Sequence, residues 1–121
     1  MTGLGFPRRS RITRKTEFVN VLETGKKTAS ADFVLWRKPC GPGLNTPRLG
    51  VMVSKKLGGA VIRNRAKRLI REVFRLNRRH LIEGVDMILY PRTVENLHDF
   101  DSAQKAIFTV WRKAGVVENA D

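Results

Sequence analysis

SKKLGGAVIRNRAKRLIREVFRLNRR, residues Ser54 to Arg79, decides how the rest of the chain is read. From Lys55 to Arg79 it holds ten lysines and arginines and one acid, Glu72, a net nine of the chain's formal +13. From Ala60 onward the stretch has helical period. Ile62, Ala66, Leu69, Ile70, Val73 and Leu76 recur at three- and four-residue steps and share one side, and Phe74 widens that apolar arc. Lys67, Arg68, Arg71, Arg75, Arg78 and Arg79 share the other, with Asn64 among them and Arg63 and Arg65 at its borders. A stripe this wide belongs to a helix packed on a globular core. No Gly or Pro interrupts it from Ala60 to Arg79.

The polar side is unusual in its sign. A solvated helix face normally alternates acid and base four residues apart. Here Arg63, Lys67, Arg71 and Arg75 follow at four-residue steps, a repulsive spacing. A face that keeps such repulsion is expected to meet an external polyanion. Lys55-Lys56-Leu57-Gly58-Gly59 leads into the helix, either as a phosphate cradle at its free N–H groups or as a flexible lead-in. It is not a nucleotide-triphosphate loop, because the G-x-x-x-x-G-K-[ST] frame is missing.

Outward from this helix, the chain reads as one α+β domain in the order α-β-β-β-α-β-α, with a mixed sheet of about four strands. Met1 to Arg11 is a basic arm. Thr16 to Thr24 is a short helix with Phe18, Val21 and Leu22 on one face, closed by Gly25. Alone it is too short to persist, so it must dock. Lys26 to Ser30 adds a short strand before Ala31 to Lys38, in which Phe33 and Leu35 oppose Val34 and Trp36. Pro39 to Pro47 is a loop. Arg48 to Val53 is the next strand, its second face thin at Gly50, and Val85 to Tyr90 is the last. Strand, helix, strand predicts a parallel crossover. Asp99 caps a final helix through Ala114, and residues 115–121 form a polar tail.

The 121-residue length suits one domain with a modest core. A pI near 11.1 points to nucleic acid ahead of an anionic membrane. No apolar run reaches membrane-spanning length, and the start lacks a signal-peptide core. The single cysteine, Cys40, has no partner for an internal disulfide and fits a reducing cytosol. No catalytic or metal constellation is expected. His80 and His98 fall in connections, and the carboxylates are too scattered for a two-metal nuclease.

Ala60 to Arg71, AVIRNRAKRLIR, resembles the RNR signature of the protein component of bacterial ribonuclease P, and Ser54-Lys55-Lys56 matches that family's lead-in. The resemblance runs from about Ser10 to Ala114. It implies a mixed sheet packed with helices, and a catalyst made of RNA rather than protein. It implies a holoenzyme that needs Mg2+ to hydrolyse one phosphodiester and release the 5′ leader of precursor tRNA, with no cofactor on the protein itself. It further implies that Lys55, Lys56, Arg63, Asn64, Arg65, Lys67, Arg68, Arg71 and Arg75 bind the catalytic RNA. Phe18, Leu22 and Trp36 would line a cleft for the single-stranded leader, although periodicity alone fits Phe18 and Leu22 equally well to the core. The expected setting is the cytoplasm, with ribonuclease P RNA and precursor tRNA as partners and neither membrane nor DNA. A structural rRNA-binding or ribosome-assembly protein is the alternative. A groove-reading DNA module is disfavoured, since no dimer-forming segment or helix-turn-helix spacing appears.

Overall fold

The computed structural model describes residues 11–40 and 46–118. Most of the basic arm (residues 1–10), part of the proline-rich loop (residues 41–45) and the end of the tail (residues 119–121) lie outside the described residues. Among the described residues α1 (Lys15–Thr24) is followed by three strands, β1 (Lys26–Ala29), β2 (Phe33–Pro39) and β3 (Arg48–Val51), then by α2 (Ala60–Asn77), β4 (Val85–Pro91) and α3 (Phe100–Ala114). The strands lie in the order β1-β2-β4-β3. β2 is antiparallel to β1 and to β4, while β3 runs parallel to β4, so α2 is the crossover that the strand-helix-strand order predicts.

The register sorts the side chains of the sheet. Leu35 lies opposite Leu89, Leu49 opposite Met87 and Val51 opposite Leu89. These residues point toward α2 and α3 and form the main core with Ala66, Ile70, Val73, Phe74, Ile107, Val110 and Trp111. Each fully buried Ile, Val or Phe in this layer is worth roughly 1.5–3 kcal/mol. Trp36 lies opposite Ile88, and Ile88 opposite Gly50, on the other face. There Ile12, Val21 and Ile88 form a second, smaller core, with Phe18, Leu22, Trp36 and Met52 half-buried around it. α1 is the helix that covers this face, and only in part.

Two glycines make α1 fit. Gly50 presents no side chain where the Phe18 ring sits, for a Cβ there would stand 2.6 Å from Phe18 Cε2. The thin second face of β3 is therefore the seat of an aromatic ring. Gly25 ends α1 in extended backbone (φ −76°), not in the left-handed form expected of a helix-closing glycine. It is small for a different reason: a Cβ would meet the carbonyl oxygens of Val21 and Arg37 at 2.5 and 2.9 Å.

Three further expectations need correction. Ile62 and Leu76, placed on the apolar stripe of α2, are 46% and 47% exposed. At 1.5 Å per residue an 18-residue helix spans ~27 Å, whereas four-residue β3 spans ~13 Å, so the ends of α2 overhang the sheet. The tail is not wholly polar and free. Val116 is fully buried, its carbonyl accepts from the Ile82 N–H at 2.8 Å, and Val117 bridges to Leu81. At the other end, the Ile12 N–H donates to the Leu49 carbonyl at 3.0 Å, which lays Arg11 and Ile12 along the free edge of β3.

Candidate nucleic-acid interface

α2 carries the cationic surface. Ser54 starts a short turn, Lys55–Leu57, by accepting the Lys56 N–H on its hydroxyl at 3.1 Å, and both lysines of that turn are exposed. Gly58 then turns the chain in a conformation (φ 149°) that L side chains rarely adopt, and Gly59 opens α2. Along the helix Asn64, Arg65 and Arg68 are exposed, while Arg63, Lys67, Arg71 and Arg75 are half-buried along their stems. Long stems lying on the protein with charged heads in water are the normal posture of such residues.

These side chains do not form one uniform row. Arg63 donates its Nε–H to the Gly58 carbonyl at 3.2 Å, which ties the start of α2 to the turn before it. Arg75 is taken up by Glu72, donating through Nε and Nη2 at 3.0 and 2.7 Å. That bidentate pair corrects the expectation of a fully unneutralised four-step series. Its fourth member is matched by an acid three residues earlier, a spacing that also makes helix neighbours. Arg71 lies close to Arg11, and burial first, then the Arg11 guanidinium, lower its pKa from the ordinary arginine value. Arg11, Asn64, Lys67, Arg68 and Arg71 line a hollow of about 400 Å³, together with the Glu72–Arg75 pair. Arginines such as Arg68 and Arg71 in this lining have the planar fork that meets phosphate oxygens bidentately.

The second surface is the half-open sheet face beside α1. Phe18 and Leu22 from the helix and Trp36 from β2 do come together there, all half-buried. Periodicity could not choose between core and surface for Phe18 and Leu22 because both are only partly buried. They pack on Val21 and Ile88 below and keep part of their surface open above. The sequence reading missed neighbours of Trp36. Tyr90, two residues beyond Ile88 on β4, places its ring 6.3 Å from the Trp36 ring in an edge-on contact. Lys27, opposite Trp36 on β1, holds its ammonium 5.7 Å from the indole centroid. Alternation puts Tyr90 on the Ile88 face, but only the strand register brings it to Trp36.

Beneath α1 lies a polar cluster. Arg48 on β3 makes two 2.8 Å bonds to the Asp86 carboxylate on β4, through Nε and Nη2. It reaches Glu17 of α1 at 3.4 Å. The Cys40 thiol donates to Asp86 Oδ1 at 3.0 Å, and its pKa is pushed up to about 12, first by burial and then by the adjacent carboxylate. His80 and His98 stay exposed. Among the described residues, no three His, Cys, Asp or Glu side chains gather as a metal-binding group, and no helix is long and apolar enough to cross a membrane.

A small basic α+β protein with a cationic crossover helix and an aromatic, half-open sheet face is an RNA-binding module in its class. Residues 6–115 match the family Ribonuclease P. Among similar proteins, the ribonuclease P protein component of Dictyoglomus turgidum is 36% identical over 116 residues, covering 93% of this chain and 95% of its own. That of Clostridium botulinum strain Langeland is 38% identical over 108 residues, covering 88% and 96%. The solved RNase P protein of Staphylococcus aureus superposes with a TM-score of 0.79 at 31% identity, covering 89% of this chain and 97% of its own. The Thermotoga maritima protein, solved with a fluorophenyl thiourea, gives 0.73 at 26%, covering 92% and 100%. The chain belongs to the ribonuclease P protein family. That membership makes it a tRNA-processing subunit and sets aside the rRNA-binding alternative.

Proposed function

We propose that this chain works as the RNA-bound partner in a ribonucleoprotein nuclease whose catalyst is the RNA, and that it steers precursor tRNA to that catalyst. Exposed Asn64, Arg65 and Arg68, with Lys55, Lys56, Arg63, Lys67 and Arg71 beside them, contact the catalytic RNA. Arg75 joins them only when Glu72 releases it. The cleft of Phe18, Leu22 and Trp36 takes the unpaired 5′ leader, where base stacking is worth roughly 1–3 kcal/mol per base and tolerates any sequence. In this reading the magnesium that the holoenzyme requires is held by RNA phosphates. By placing cations between two polyanions the protein lowers the magnesium needed for their association. The cytoplasm is the setting for this work.

The observation that carries this reading is the surface of α2, where a dense run of guanidinium and ammonium groups faces outward with one carboxylate pair among its described members. Cleavage of precursor tRNA at low magnesium tests it, with protein alone, RNA alone, and both. Activity is expected only from the mixture. Cleavage by the protein alone, or no gain on adding it to the RNA, would refute it.

A further inference from the structure

We infer that Gly59 and Val61 form an uncharged contact patch at the entry of α2, which seats an unpaired nucleotide of the catalytic RNA by its ribose or base. The inference rests on the RNA-binding reading of α2 above and adds to it a contact that charge does not make. Three observations converge. Val61 is 81% exposed, the most exposed large apolar side chain among the described residues. It stands three, four and seven residues before Asn64, Arg65 and Arg68, so it shares the outward stripe of the exposed polar and cationic side chains. Gly59 has ordinary extended backbone (φ −74°), and a Cβ placed there would meet nothing within 4 Å. The fold has room for a side chain at that position, and Ser or Asp there would cap the helix. Gly58 differs, for its φ of 149° and the Ile62 side chain 2.9 Å from its would-be Cβ both demand a glycine.

A single exposed apolar side chain is ordinary on a protein surface. What sets Val61 apart is its place. Valine is a poorer helix former than the lysine or arginine found elsewhere on this stripe, and bare backbone beside it lets another chain come close. Asn64 and Arg65, one turn further on, are there to hold the neighbouring phosphates. A regular RNA duplex presents mainly phosphates and hydroxyls, whereas loops and bulges uncover the faces of their bases and sugars. The patch therefore selects an unpaired segment of the catalytic RNA. A second copy of this chain would bring its own cations against Arg65 and Arg68, so charge favours the polyanion as occupant.

Equilibrium binding of the full chain to ribonuclease P RNA, over a series of salt concentrations, tests the patch. Apolar burial releases no counterions, so it changes affinity without changing the salt slope. Val61→Ala removes two methyl groups and improves helix propensity, and is expected to weaken binding about tenfold at every salt concentration with the slope kept. Val61→Ile, which keeps an apolar surface, is expected to bind more tightly than Val61→Ala. Gly59→Ala, which the free fold accommodates, is expected to weaken binding with the slope kept as well, while urea midpoints of the free variants stay at or above that of wild type. Arg65→Ala is the reference and should flatten the slope by about 1. Wild-type affinity in either Val61→Ala or Gly59→Ala, with Arg65→Ala flattening the slope, refutes the patch while the cationic reading stands. A flattened slope in Val61→Ala also refutes it, since the loss then belongs to phosphate contacts. Self-association of the free chain that Val61→Ala abolishes, with RNA affinity unchanged, gives the patch to a second copy and overturns the inference. If Arg65→Ala binds like wild type, the cationic reading fails and this inference with it.

Discussion

Arg48 and Asp86, on neighbouring parallel strands, face each other as a bidentate pair, with both bonds at 2.8 Å and Asp86 only 5% exposed. Glu17 approaches the same guanidinium from α1, so one arginine joins two strands and the helix above them. A buried pair of this kind is costly to break and less costly to replace whole. Arg48→Ala leaves a buried carboxylate without its cation and is expected to lose roughly 3–5 kcal/mol in urea unfolding. Arg48→Met with Asp86→Leu should recover most of that loss. A single-variant loss within experimental error of zero would show that the pair does not hold this corner together.

The Cys40 thiol belongs to the same corner, and its raised pKa sets a pH dependence. The folded chain keeps the thiol proton up to about 12, whereas the unfolded chain loses it near the ordinary value of 9.0. Its contribution is therefore full below pH 9.0 and disappears as pH rises through about 12. Wild type should lose stability faster than Cys40→Ala between those limits, as read from urea midpoints at a series of pH values. Parallel curves would contradict the assignment. The same proton makes Cys40 slow toward iodoacetamide near neutral pH, because the thiolate is the nucleophile.

Gly50 and Phe18 form a lock whose two halves can be tested together. A Cβ at position 50 would stand 2.6 Å from Phe18 Cε2 and 3.2 Å from Ile88 Cγ1. Gly50→Ala should displace the ring and cost roughly 1–3 kcal/mol, the range for overpacking. It should also weaken the leader contribution to precursor-tRNA affinity, since Phe18 leaves its place in the cleft. In a Phe18→Ala background the same change should cost much less, a coupling that a double-mutant cycle measures. Additive losses would mean that the ring and the glycine are not opposed.

What the sequence disclosed and what it withheld follow from the range of each signal. Helical period in Ala66, Ile70 and Val73, alternation in Leu49 and Val51, and the Asp99 cap are local patterns, and all three lie where they were expected. Exposure of Ile62 and Leu76 depends on how far α2 outruns the sheet, which periodicity does not encode. Val116 is buried because it returns to pair beside Leu81 and Ile82, a contact across more than thirty positions. Tyr90 meets Trp36 only through the β2–β4 register. Glu72 was visible beside Arg75 all along, but four-step counting passes over a three-step partner.

That three-step pair yields a prediction about RNA affinity. Glu72 holds Arg75 by two hydrogen bonds, and the guanidinium in turn draws the carboxyl pKa below its usual range. The acid therefore stays charged at neutral pH and withholds one cation from the surface. Glu72→Gln removes a negative charge and frees Arg75, so affinity for the catalytic RNA should rise, and the salt slope should steepen by up to about 1. Arg68→Ala, which removes an exposed cation, should flatten the slope by about 1, whereas Arg75→Ala in the wild-type background should change it less. Filter binding across a series of salt concentrations reads all three. Equal effects from Arg68→Ala and Arg75→Ala would show that the Glu72 pair opens freely on the RNA and that Arg75 is as available as its exposed neighbour.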